Sequence, residues 1–202
     1  MLGPLVLAAV MVEEDSKLRE LGVRDSKKMT AAKRAELAPQ IMHAARVEVA
    51  VVTAATIDAR GDERSLNDLE LDHFAHLIEI LRPDEAYVDA CDPIEENFRR
   101  SLAERLSYRP RLVCEHKADD RYPVVSAASI VAKNLRDTII EEIKLELGEE
   151  IGSGYPGDEV TIQFIKGWIK EKGDFPPHAR RTWETSRRLM RESKIKKLSE
   201  WE

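Results

Sequence analysis

The stretch from Ala86 to His116 constrains the fold of this chain more than any other. Ala86–Ala90 (AYVDA) and Arg111–His116 (RLVCEH) are short and largely apolar, and Ile94–Leu106 between them has helical composition. A strand, a helix and a second strand in that order form a βαβ unit, whose two strands run parallel. Parallel strands need helices over their faces, and the rest of the sequence supplies them. Ser65–Arg82 sets Leu66, Leu69, Phe74, Leu77, Ile78 and Leu81 on one helical face, and Pro83 stops it. Pro123–Leu147 runs from small residues (VVSAASIVAKN) into a charged amphipathic helix that ends at Gly148, a natural residue for a helix terminus.

Other segments fit the same α/β pattern. Leu2–Val12 is a nearly continuous apolar run and predicts a buried strand. Val23–Thr30 reads as a polar turn, and Ala31–Ala45 as a helix capped by Thr30 and kinked at Pro39. Arg46–Ala55 alternates and is rich in valine, which predicts a second strand. The glycine-rich turn Gly152–Gly157 leads into a helix over Asp158–Lys172, capped by Asp158 and carrying an apolar stripe of Ile162, Ile165, Trp168 and Ile169. A final helix is expected over about Arg180–Lys197. The economical organisation is one α/β body over residues 1–150, followed by a helical C-terminal part over residues 151–202.

Composition narrows the function classes. With 43% hydrophobic and 35% charged residues among 202, the chain is not disordered. No window approaches about 18 consecutive apolar residues, and the opening residues 1–12 lack a basic region and contain Gly3 and Pro4. A soluble, cytoplasmic monomer with no membrane partner is expected. Cys91 and Cys114 form no zinc-ligand pattern and are expected to pack as small core residues. The net charge of −6 argues against indiscriminate coating of nucleic acid, but its distribution is uneven. Residues 177–202 carry eight Lys and Arg against four acids, which leaves the remainder at −10. That segment is either a solvated terminal helix or a basic face for a polyanion.

Asp89 is the most informative position, because it stands at the carboxyl end of a predicted parallel strand, where open α/β sheets place ligands. It either ligates something there or caps the following turn together with Asp92. Thirty residues on, His116-Lys117-Ala118-Asp119-Asp120 joins a strand to a helix, so that Asp119 or Asp120 is able to converge on Asp89. Carboxylates at the ends of neighbouring strands suit hard divalent cations such as Mg²⁺.

Four longer segments go beyond spacing. Val23–Thr30 (VRDSKKMT), Tyr87–Asp92 (YVDACD), His116–Lys133 (HKADDRYPVVSAASIVAK) and Gly152–Pro156 (GSGYP) occur in the order found in ribonuclease HII, and over residues 2–190 the chain resembles the archaeal members of that family. The resemblance implies a ribonuclease H-like mixed sheet flanked by helices, with a helical C-terminal part. It also implies an endonuclease that cuts the RNA strand of RNA–DNA hybrids, and cuts at ribonucleotides embedded in duplex DNA, using two Mg²⁺ or Mn²⁺ ions. Asp89 matches the family's third metal-ligating carboxylate and Asp119 the fourth, with Asp120 outside the site. Tyr155 matches the tyrosine that packs on the sugar of the deoxynucleotide after the ribonucleotide, and so recognises an RNA-to-DNA junction; read on its own it is a turn tyrosine. Lys27 and Lys28 match a phosphate-contacting pair, though a lysine pair on a loop is also commonly just solvated. A sliding-clamp partner is in keeping with the family.

The chain departs from the family at its start. The family opens on a strand carrying Asp-Glu-Ala-Gly-Arg-Gly-Pro, with the first two carboxylates and the loop that reads the 2′-hydroxyl, and Met1–Val6 aligns with the residues downstream of that motif. On this reading the first, central strand of the sheet is missing. The chain as written is then expected to be inactive, with a gap at mid-sheet and little cooperative stability. The alternative function is a hybrid-binding protein that has lost its metal chemistry.

Overall fold

A computed structural model describes residues 1–23, 29–61 and 64–199. The described residues hold four strands, β1 (Leu5–Met11), β2 (Arg46–Val52), β3 (Glu85–Asp89) and β4 (Arg111–Glu115). Their helices are α1 (Ser16–Glu20), α2 (Ala31–Ala44), α3 (Ala54–Ala59), α4 (Leu66–Leu81), α5 (Glu95–Glu104), α6 (Ala118–Arg121), α7 (Pro123–Leu147), α8 (Glu159–Lys172) and α9 (Glu184–Ser199). The chain divides into two compact units. One comprises Val6–Val51 and Asp62–Leu135; the other comprises Met1–Leu5, Val52–Gly61 and Arg136–Glu202.

In the first unit β3 and β4 pair in parallel, with Val88 opposite Cys114 and Asp89 opposite Glu115, as the βαβ pattern requires. Successive side chains of a strand point to opposite faces. Ala86 and Val88 therefore enter a core with Leu71, Ile78, Phe98 and Leu102 of α4 and α5, while Glu85, Tyr87 and Asp89 share the other face. Phe98 meets Phe74 edge-to-face, with ring centroids 6.0 Å apart. A second cluster packs Leu18 of α1 and Leu37, Ala38 and Ile41 of α2 against Ala127, Ile130 and Val131 of α7. The strands form two separate two-stranded sheets, β1–β2 and β3–β4, and none of the described strands joins β1 to β3.

The second unit is built around the last turns of α7. Leu2, Ile140, Ile143, Ile151 and Ala179 form one cluster, and Met1 with Ile165, Ile169 and Leu189 forms another, bringing α8 and α9 onto the first residues of the chain. Leu2 makes an isolated antiparallel bridge with Ala179.

Several sequence expectations need correcting. Leu2–Val12 is shorter as a strand, and only Leu7 of β1 is buried, because β1 has a single strand partner among the described residues. The predicted strand to Ala55 ends at Val52, where Thr53 accepts a hydrogen bond from the Thr56 amide and starts α3. Asp58 of α3 then holds the approach to α9, accepting from the amides of Arg181 and Thr182. The last helix begins at Glu184 rather than near Arg180. Arg180 itself is buried, donating from Nε to the Gly3 carbonyl, and so is not part of a solvated basic face. Cys114 is buried but Cys91 is exposed, since the buried position past the end of β3 is taken by Ala90. No helix among the described residues is long and apolar enough to cross a membrane.

Candidate active site

The parallel pair delivers Asp89 to the carboxyl end of β3, and a local device brings the next segment to meet it. After β4, Lys117 adopts left-handed backbone angles (φ 56°), a conformation that costs a non-glycine residue energy and is retained where the surroundings fix it. The reversal sets Ala118 at the start of α6, and its amide donates to Asp89 Oδ1 at 3.2 Å. Asp92, not Asp89, holds the turn after β3 by accepting from the Ile94 amide at 2.9 Å. Of the two capping candidates weighed from the sequence, only Asp92 acts on that turn.

Asp119 follows Ala118 directly and is 3% exposed, whereas Asp120 is on the surface. The structure thus brings together Asp89 and the segment bearing Asp119, and it buries the first aspartate of the pair. Two residues that pattern reading missed complete the surroundings. Glu115 lies beside Asp89 in register, and one oxygen of its carboxylate accepts from Arg121 Nη1 at 2.6 Å. Tyr87, on the same face of β3 as Asp89, stacks on Tyr122 with ring centroids 4.4 Å apart. His116 closes the far side of the turn, its amide donating to Glu95 and its Nε2 lying 2.8 Å from the Asp92 carbonyl oxygen.

Two carboxylates of this kind are hard oxygen donors, and Mg²⁺ or Mn²⁺ is the class of ion they fit. Among the described residues no group of three or more His, Cys, Asp and Glu is gathered as a complete metal cage. Mg²⁺ does not require one, since it commonly keeps several waters and uses one or two carboxylates.

Tyr155 belongs to the other unit and is 47% exposed. Its loop is held from inside. The Gly154 amide donates to Thr161 Oγ1, which in turn donates to the Ile151 carbonyl. Asp158 accepts from the Ser153 amide and hydroxyl and from the Val160 amide. These bonds, led by the Ser153 hydroxyl, lower the Asp158 carboxyl to about 2. Lys27 and Lys28 lie outside the described residues.

The chain's likenesses to known proteins agree with one another. A family model described as Ribonuclease HII matches residues 1–186. A ribonuclease HII of Thermococcus kodakarensis is 44% identical over 204 residues, which span 98% of this chain and 88% of that protein. A chain of the PCNA:RNase HII complex from Archaeoglobus fulgidus superposes with a TM-score of 0.86 at 41% identity, over 93% of this chain and 90% of that one. The ribonuclease H2 of Pyrococcus horikoshii OT3 also gives a TM-score of 0.86, at 39% identity over 96% and 92% of the two chains.

Proposed function

Because this chain belongs to the ribonuclease HII family, with a ribonuclease H-like α/β fold and the endonuclease activity on RNA–DNA hybrids that membership carries, we propose that Asp89 and Asp119 are its metal-ligating catalytic residues. The observation that carries this reading is the hydrogen bond from the Ala118 amide to Asp89 Oδ1. It ties the end of β3 to the start of α6, one residue before the buried Asp119. A divalent ion held by Asp89 and Asp119 would supply a nucleophilic water at neutral pH and a counter-charge for the scissile phosphate. The protein's part is to hold the two carboxylates on rigid elements and to present the hybrid. Water adds to phosphorus and gives up a proton, the bond to the 3′ oxygen breaks, that oxygen takes up a proton and leaves as a 3′-hydroxyl, and the downstream product keeps a 5′-phosphate.

The substrates in this proposal are RNA–DNA hybrids and duplex DNA containing single ribonucleotides. Tyr155 offers its ring to the deoxyribose after the ribonucleotide, and Lys27 and Lys28 contact backbone phosphates. The Archaeoglobus fulgidus complex supports a sliding-clamp partner. We propose a cytoplasmic monomer; the two free cysteines are in keeping with a reducing compartment.

Family chemistry of this type uses two ions about 3.5–4 Å apart, and two carboxylates are few ligands for both. On this proposal, turnover supported by Asp89 and Asp119 alone is expected to be slow. The second reading is a hybrid-binding protein without metal chemistry. The two are separated by incubating the chain with a labelled duplex carrying one ribonucleotide, with and without Mn²⁺. Slow, Mn²⁺-dependent cutting that disappears in Asp89→Asn supports the nuclease. Tight binding without any cutting supports the binder.

A further inference from the structure

Arg136 lies on α7, within the unit that contains Tyr155. Although arginine is rarely fully buried, it is only 7% exposed here. Its guanidinium carbon stands 3.8 Å from the centroid of the Tyr155 ring, and Nη2 donates to the Ser153 carbonyl at 3.0 Å. Nη1 is buried without a hydrogen-bond partner among the described residues. The same guanidinium limits the residue between them. A Cβ on Gly154, whose φ is +77°, would come within 2.7 Å of the Leu2 carbonyl oxygen and 3.0 Å of Arg136 Nη2. Ser153, Gly154 and Tyr155 are thus moulded over one buried planar cation, while nearly half of the tyrosine stays open to solvent.

Burying an arginine with a donor unsatisfied costs stability. An aliphatic side chain of similar length would fill the space without that cost, but it would neither grip the loop carbonyl nor attract the ring face. A cation stacked on a tyrosine holds the ring flat against it. That leaves the opposite ring face as a fixed platform. From this geometry we infer that Arg136 is the positioning residue for Tyr155, setting the ring orientation with which the protein distinguishes an RNA-to-DNA junction from a continuous hybrid. The inference rests on the proposed sugar-stacking role of Tyr155. Arg136 touches no substrate; it acts through the ring and the Ser153 carbonyl.

The test needs no turnover. Binding of the full chain to two fluorescent duplexes is measured by anisotropy without metal. One duplex carries a single RNA-to-DNA junction, the other a continuous RNA strand, and their affinity ratio is the readout. Arg136→Met is expected to lower the ratio about threefold to tenfold, the range for a partly desolvated cation–ring contact. Arg136→Lys, which keeps a cation but loses the plane, should lower it less. In a Tyr155→Ala background, Arg136→Met should change the ratio no further. A wild-type ratio in Arg136→Met, or an equal loss with and without the tyrosine ring, would overturn the role of Arg136 and leave that of Tyr155 standing. An unchanged ratio in Tyr155→Ala alone would overturn both. If Arg136→Met gives no cooperative melt, the decision passes to Arg136→Lys, where a wild-type ratio overturns the inference.

Discussion

The Asp89 carboxylate accepts a hydrogen bond from a backbone amide 29 residues away, which separates its structural work from its chemical work. Asparagine at this position still presents an oxygen to the Ala118 amide, whereas alanine leaves that amide without it. Asp89→Asn should therefore melt within a few degrees of the parent, while Asp89→Ala loses about 1–3 kcal/mol. Comparing their thermal unfolding checks this, and equal loss in both would mean that the hydrogen bond does not hold the turn. Tyr155 divides in a similar way. On the proposed role its ring face meets a sugar, so Tyr155→Ala should weaken binding to a junction duplex by about 1–3 kcal/mol, and Tyr155→Phe by much less. If alanine and phenylalanine bind the junction equally well, Tyr155 is only a turn residue.

At the scale of elements, the loop from Ile151 to Asp158 depends on one carboxylate. Asp158 is lowered to about 2 from an ordinary 3.8 by its bonds to Ser153, Val160 and Thr161. Its contribution is fully present above about pH 4 and is lost as the pH falls through about 2. The melting temperature of the parent should accordingly fall more steeply over that range than that of Asp158→Asn; parallel curves would show that the carboxylate charge is not what ties the loop. Which elements are legible in the sequence depends on how local their signals are. The span of α4 is readable to within a residue because Ser65 and Asp68 form a reciprocal cap and Pro83 stands just past its end. By contrast α6 has four residues, too few for any periodicity, and α3 is hidden behind the alternating run that precedes Thr53. Asp89 and Asp119 are legible from strand ends and from the motifs around them. Arg136 is not, since an arginine in a charged amphipathic helix reads as a solvated side chain. Only packing of the Ile151–Asp158 loop over α7 reveals that it is buried.

Over the whole molecule the charge balance is unfavourable for a polyanion except in limited regions. The chain carries −6, with its basic excess concentrated in residues 177–202, and it must meet phosphates with few cations. Binding to a hybrid should consequently show a modest salt dependence. Replacing Lys27 and Lys28 together should reduce the slope of log affinity against log salt by about 2, near one for each phosphate no longer neutralised; an unchanged slope would mark the pair as simply solvated. Everything proposed for catalysis depends on the segment joined to Asp89 by Ala118 completing a divalent-ion site. The decisive experiment is to titrate the 202-residue chain with Mn²⁺ and follow the bound ion by electron paramagnetic resonance. Binding is expected to weaken about tenfold or more in Asp89→Asn and again in Asp119→Asn. Parent-like Mn²⁺ affinity in both variants would mean that these aspartates hold no ion.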